Sequence, residues 1–234
     1  MAFSSHTRSN PIVPPVIMNL LIANGMMFFF QQFFHGKISM MLIKFFALWP
    51  AGVETWLNQH PYFPYAGSVS TFMPWQLVTY GFMHGNFMHI FFNMLALWMF
   101  GREIELRWGS ARFAFYYFFC VAGAGLMQLA VGTYSLDGTG PYPTIGASGG
   151  TYGILLAFGM LFPYRRILLL FPPIPMEARY FVIFFGGLEL LSGITGLNTG
   201  IAHFAHLGGM LFGFLLILFW RGKLPIKPKR QMYW

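Results

Sequence analysis

From residue 201 the sequence reads Ile-Ala-His203-Phe-Ala-His206-Leu-Gly-Gly209-Met-Leu-Phe-Gly213-Phe-Leu-Leu-Ile-Leu-Phe-Trp220, followed by Arg221-Gly-Lys223. The stretch to Trp220 holds no Asp, Glu, Lys or Arg, and about 20 mostly apolar residues are enough to cross the hydrocarbon core of a bilayer. It predicts a transmembrane helix that ends on basic residues and carries two histidines near its start. Five other stretches meet the same standard: 15–34, 77–100, 113–134, 148–162 and 180–195. The fourth and fifth spans are short, which suits helices packed inside a bundle. The predicted fold class is all-α, a polytopic membrane protein with a bundle of six transmembrane helices.

Composition points the same way. Of 234 residues, 56% are hydrophobic and only 9% charged, whereas a soluble domain carries about a quarter charged residues. A soluble enzyme, a disordered regulator and a nucleic-acid-binding domain are all disfavoured. The single cysteine, Cys120, sits in an apolar run where it is expected to pack, and no disulfide framework exists. The first span has too long an apolar run, and no small-residue cleavage site after it, to read as a signal peptide. Residues 1–220 are expected to form one transmembrane domain, and 221–234 a basic, disordered cytoplasmic tail.

Cytoplasmic loops keep an excess of Lys and Arg. Arg8 precedes the first span, Arg102, Arg107 and Arg112 fall between the second and third, and Arg165, Arg166 and Arg179 between the fourth and fifth. Arg221, Lys223, Lys227, Lys229 and Arg230 follow the sixth, while the segments 135–147 and 196–200 contain no basic residue. Both termini are therefore expected to be cytoplasmic, and the net charge of +8 is mainly this orienting bias. The long outer segment 35–75 is unusually apolar and aromatic, as in Ile38-Ser-Met-Met-Leu-Ile and Phe45-Phe-Ala-Leu-Trp. It is expected to lie in the plane of the membrane interface.

Polar side chains inside spans are costly and are functional candidates by default. The second span carries His84, His89 and Asn93, the fourth opens on Ser148, and the sixth carries His203 and His206. These three spans run in the same direction, so all six residues fall near one outer depth. Gly146-Ala-Ser148-Gly-Gly150 matches the G-x-S-x-G pattern of a nucleophilic serine. The same glycines also suit a plain helix contact, and no strand or nearby acid accompanies them, since Asp137 is the only aspartate. Gly149 and Gly153 share a four-residue spacing with Gly209 and Gly213. Two such faces allow close helix approach and could bring Ser148 to His206, the base that a serine nucleophile needs. His89 and Asn93 are four apart on one face, and both can donate to a developing oxyanion, as can the backbone N–H of Ser148.

His84-Gly-Asn-Phe-Met-His89-Ile-Phe-Phe-Asn93, Gly146-Ala-Ser148-Gly-Gly-Thr-Tyr152 and Ala205-His206-x-x-Gly209-x-x-x-Gly213 together resemble the rhomboid family of intramembrane serine proteases. The resemblance covers roughly residues 13–220. It implies Ser148 as nucleophile and His206 as general base in a dyad, with His89 and Asn93 in the oxyanion hole. It also implies that Tyr152 packs on the His206 ring and fixes its orientation. Gly101-Arg-Glu-Ile-Glu105-Leu-Arg-Trp-Gly109 resembles the family's charged cytoplasmic turn, and the span 180–195 its lateral substrate entrance. Where the family often has Trp-Arg in the outer segment, this chain has Trp75-Gln76.

His203 competes with His206 for the base role, but only His206 has glycines three and seven residues on. His84 is expected to anchor the outer segment. Glu189 is the one acid within a span, either a buried, protonated partner or part of the entrance. The reading is an intramembrane endopeptidase that needs no cofactor, metal or ATP. Its partners are the lipid bilayer and single-span or other transmembrane proteins, with no nucleic acid. The alternatives are a catalytically silent rhomboid-like protein that binds membrane segments, or a metal transporter lined by His84, His89, His203 and His206. The expected location is a bacterial inner membrane, with an organellar membrane as the alternative.

Overall fold

The structure is a computed structural model that describes residues 11–63, 66–168, 173–195 and 202–233. Arg8, the 196–200 segment and Ile201 lie outside the described residues. The chain begins with α1 (Pro15–Phe33), followed by three short helices of the outer segment, α2 (Lys37–Phe46), α3 (Val53–Gln59) and α4 (Gln76–Thr79). Then come α5 (Phe87–Trp108), α6 (Ser110–Tyr134), the one-turn α7 (Leu136–Thr139) and α8 (Ser148–Leu161). An antiparallel hairpin of β1 (Arg166–Leu168) and β2 (Pro175–Glu177) leads to α9 (Ala178–Thr195) and α10 (His203–Trp220).

Four helices, α1, α6, α9 and α10, are long and apolar enough to cross a membrane. Their large exposed residues, such as Phe29, Phe33, Phe115, Ile183 and Leu191, form the apolar outer surface that a lipid-facing helix needs. Helix α5 is 22 residues long but carries Arg102, Glu103, Glu105 and Arg107 in its last turns. Helix α8 has only 14 residues and packs against α5, α6, α9 and α10 at the centre of the bundle. The expectation of short helices held inside the bundle holds for α8. Helix α9 keeps much of its surface exposed.

The second predicted span is displaced. Residues 77–86 are not part of the long helix: they form the end of α4, a 3-10 turn at Tyr80–Phe82 and a loop. The helix starts again at Phe87, where Asn86 Oδ1 accepts the His89 N–H at 2.9 Å, a side-chain N-cap. It continues to Trp108 and stops at Gly109, whose φ of +81° favours glycine. The charged run 101–109 is thus the end of α5 rather than a turn, and His84 lies ahead of the helix. Hydropathy merges these segments because Leu77–Phe82 is as apolar as the helix that follows.

Without a hydrophobic force between helices in lipid, close backbone packing must hold the bundle. A Cβ on Gly209 would overlap the Gly149 carbonyl, and one on Gly153 would run into Cys120 of α6. A Cβ on Gly213 would meet the Tyr116 hydroxyl, which instead donates to the Gly153 carbonyl at 2.7 Å. The two glycine faces read from the sequence do meet, and Cys120 is fully buried where they meet α6.

Two buried polar residues fix the periphery. Glu105 is 2% exposed, and its carboxylate accepts the N–H groups of Val16 at 3.0 Å and Ile17 at 2.9 Å, with the Ser110 hydroxyl at 2.7 Å. It caps the start of α1, where backbone donors have no partner within the helix. Glu105→Ala is expected to cost about 1–3 kcal/mol by stranding buried donors, and Glu105→Gln less, since an amide oxygen still accepts. Thermal unfolding in detergent measures both. Gln76 is fully buried and accepts from the Trp49 and Met73 N–H groups, each at 3.2 Å. Its amide donates to the Lys44 carbonyl at 3.1 Å and the Thr71 carbonyl at 3.5 Å. A neutral side chain at this position therefore ties the outer segment together.

Within that segment α2 buries none of its residues and exposes Ile38, Met40, Met41 and Phe45 alongside Lys37 and Lys44. Such a surface suits a helix at the membrane interface. At the C-terminus the basic segment comes back to the end of α10. The Met232 N–H donates to the Trp220 carbonyl at 2.8 Å, and Met232 packs on the core. An apolar Met and a free helix-end carbonyl give the basic segment something to return to.

Candidate active site

Ser148 is the first residue of α8, and the loop before it is held from three directions. Leu48 and Thr144 exchange backbone hydrogen bonds of 3.0 and 2.8 Å. The Gly146 N–H donates to the Tyr80 carbonyl at 3.0 Å, and the Ala147 N–H to His84 Nε2 at 3.5 Å. His84, expected to anchor the outer segment, instead holds this loop, and its backbone pairs with the Gln31 amide of α1 at 3.0 and 3.3 Å. Gly146 has φ of +129°, a conformation that L side chains rarely adopt. A Cβ there would come 2.6 Å from His89 Nε2 and 3.5 Å from Ser148 Oγ, so these groups share one small space.

Helix α10 brings the histidine. Because Gly209 sits against the Gly149 backbone, the first turns of α8 and α10 touch, and His206 Nε2 lies 2.7 Å from Ser148 Oγ. The His206 ring stacks on Tyr152, with centroids 4.2 Å apart and planes 6° from parallel. Tyr152 donates its hydroxyl to Glu189 Oε1 of α9 at 2.5 Å. Glu189 Oε2 lies 2.6 Å from His203 Nδ1 and 3.0 Å from His206 Nδ1. The second approach lies off the axis a ring N–H bond needs, so it is an electrostatic contact rather than a hydrogen bond. Of the two histidines on α10, His206 reaches the serine and His203 faces the acid.

On the far side of Ser148, His89 Nδ1 accepts the Gly85 N–H at 3.4 Å, which leaves the proton on Nε2, the nitrogen beside Gly146. Asn93, one turn on, donates to the His89 carbonyl at 2.9 Å and accepts from Thr151 Oγ1 at 3.2 Å. One of its amide hydrogens remains. The Thr151 hydroxyl also lies 3.0 Å from the Ser148 carbonyl, so it links α8 to α5 below the serine. Helix α8 starts without a side-chain cap, leaving its first N–H groups available beside Ser148.

The structure thus gathers Ser148, His206, Tyr152, His89 and Asn93, all on first or second turns of α5, α8 and α10. Sequence reasoning passed over Thr151, whose only signal was a hydroxyl three residues after the serine. It also left Glu189 without a partner. Among the described residues, no group of three or more His, Cys, Asp or Glu is arranged to hold a metal ion.

A model of the rhomboid domain matches residues 71–223, which include every one of these side chains. The chain belongs to the rhomboid family. This rhomboid is 32% identical over 154 residues to mitochondrial Rhomboid protein 1 of Saccharomyces cerevisiae, covering 64% of this chain and 42% of that protein. It is 30% identical over 159 residues to the mitochondrial Presenilin-associated rhomboid-like protein of Rattus norvegicus, covering 62% and 39%. With Rhomboid protease GluP of Bacillus subtilis the identity is 29% over 140 residues, covering 60% and 25%. The chain therefore spans less than half the length of each of these relatives. It is an integral membrane protein of a family that includes proteases. The expected bacterial inner membrane finds no support in this set, where mitochondrial proteins stand beside a Bacillus one.

Proposed function

We propose that this rhomboid is an intramembrane serine endopeptidase that cleaves transmembrane segments of membrane proteins near the outer face of the bilayer. The observation that carries the proposal is the 2.7 Å approach of His206 Nε2 to Ser148 Oγ, with the His206 ring held on Tyr152. A serine hydroxyl becomes a competent nucleophile when an adjacent base takes its proton.

In this reading Ser148 Oγ attacks the peptide carbonyl while its proton passes to His206 Nε2. The oxyanion meets the His89 Nε2–H, the remaining Asn93 amide hydrogen and the Ser148 N–H at the start of α8, where the helix dipole also favours negative charge. His206 then gives the proton to the departing amine, which leaves an acyl-enzyme on Ser148. Water hydrolyses the ester with His206 again as base. Helical substrates hide their carbonyls in hydrogen bonds, so the cut segment must unwind, and helix-breaking residues near the cut are expected.

Helix geometry supports the depth. The 14 residues of α8 span about 21 Å at 1.5 Å per residue, against about 30 Å of hydrocarbon. Arg165 and Arg166 follow its far end; with that end taken as cytoplasmic, this reading sets Ser148 about 9 Å inside the outer boundary and both termini on the cytoplasmic side. Helix α9 is the proposed lateral entrance. This entrance role and a small residue before the cut both come from the family resemblance.

The test is labelling of the detergent-solubilised protein with a fluorescent fluorophosphonate, which needs no known substrate. Wild type is expected to label, and Ser148→Ala and His206→Ala are not. A folded wild type that fails to label, or a Ser148→Ala protein that labels equally, overturns the reading in favour of a silent, segment-binding rhomboid.

A further inference from the structure

Glu189 is an acid on a predicted transmembrane helix, 7% exposed, and its carboxylate collects contacts from two other helices. Tyr152 of α8 donates to one oxygen at 2.5 Å. His203 Nδ1 and His206 Nδ1 of α10 lie 2.6 and 3.0 Å from the other. Burying a carboxylate in such a place is costly unless charge or hydrogen bonds compensate it. Lipid-facing α9 needs no acid to span a membrane. The carboxylate lies on the side of the His206 ring opposite Ser148, behind the nitrogen that does not touch the hydroxyl.

We propose that Glu189 is a positioning residue for His206, so that this protein works with a serine–histidine–glutamate set rather than a dyad alone. The inference rests on the proposed catalytic role of Ser148 and His206. Two effects reach the reacting atoms through His206. The carboxylate favours the ring tautomer with its proton on Nδ1, which keeps the Nε2 lone pair facing Ser148. It also stabilises the imidazolium that forms when Nε2 takes the serine proton, by a charge interaction that is strong where water is excluded. A third effect runs through Tyr152, whose hydroxyl is held by Glu189 while its ring supports that of His206. His203 holds the same carboxylate oxygen from the other side.

The probe is again a fluorophosphonate. Ser148 Oγ forms a bond to phosphorus, fluoride leaves, and the serine proton passes to His206 Nε2 and then to water. Its rate at saturation, kinact, reports the proton transfer, and its half-saturating concentration, KI, reports binding. Glu189→Gln keeps the size of the side chain but removes its charge and replaces one accepting oxygen with an N–H₂ donor. It is expected to lower kinact by about 10²-fold or more, the direction seen when a carboxylate behind a catalytic histidine becomes an amide. KI is expected to stay within about threefold, since the probe does not touch Glu189. Glu189→Asp, shorter but charged, is expected to label faster than Glu189→Gln.

A purely structural tie between helices predicts the reverse order, because Gln preserves the reach between the helices and Asp does not. Equal kinact in wild type and Glu189→Gln, or Gln labelling faster than Asp, overturns the inference. If Glu189→Gln fails to fold, Glu189→Asp against Glu189→Asn decides, because those two have the same length and shape but only Asp carries the charge, and equal kinact in that pair overturns it. The two proposals separate cleanly. A wild type that labels only through Ser148, with Glu189 variants unaffected, keeps the dyad and removes Glu189. A folded wild type that does not label removes both.

Discussion

Ser148→Ala and His206→Ala are each expected to lower turnover of a single-span reporter protein in proteoliposomes by about 10⁴–10⁶-fold. The double variant is expected to be no worse than the worse single one, because each residue acts only through the other. A hydroxyl without its base is a weak nucleophile, and a base without the hydroxyl has no proton to take. Thermal unfolding should change little, since the 2.7 Å contact between them is one hydrogen bond in a densely packed bundle. Losses that multiplied in the double variant, or cleavage that survived Ser148→Ala, would rule out a shared proton transfer. The same reporter, synthesised without helix-breaking residues near the cut, should be cleaved more slowly by wild type.

A comparably large effect is expected far from the polar atoms. Gly209→Val should both destabilise the bundle and abolish labelling, because its Cβ would overlap the Gly149 carbonyl at the contact of α8 with α10. Overlap with backbone cannot be relieved by a rotamer change. The helices must separate, at a cost of about 3 kcal/mol or more. An ångström of separation carries His206 Nε2 beyond hydrogen-bond reach of Ser148 Oγ, from 2.7 Å at present. Gly187→Ala on α9 is the control, since a Cβ there meets nothing within 4 Å. Labelling and thermal midpoint measured on both variants test the claim. A Gly209→Val protein that unfolds normally and labels at the wild-type rate would show that the glycine contact does not set the site.

The roles of individual residues divide along physical lines. His89, Asn93, Ser148 and His206 could be picked out from the chain because a polar group in an apolar run is conspicuous wherever it lies, whereas Tyr152 came only from the family resemblance. Glu189 was equally conspicuous, yet its partners were not, because they belong to α8 and α10 and nothing local to α9 points to them. Thr151 was inconspicuous, since a threonine among glycines looks like any small residue at a helix contact. Gln76 looked like a departure from the family's arginine. Only its four contacts with the surrounding backbone, two accepted and two donated, show how a neutral amide ties the segment instead.

Hydropathy is a property of one stretch of chain, and so is the bias of basic residues between stretches. From them came the all-α membrane class, the place of most spans and the polar layer, and from residue spacing the paired glycine faces. Where one apolar stretch adjoins another, hydropathy has no means of seeing a break. The start of α5 at Phe87 was decided by the Asn86 cap and the loop packed against it. The contact between Ser148 and His206 was decided by how closely two backbones approach at Gly149 and Gly209. So was the convergence of Tyr152, His203 and His206 on Glu189. Those distances depend on the relative depth and crossing of three helices, which the packing of the whole bundle sets and no single stretch encodes.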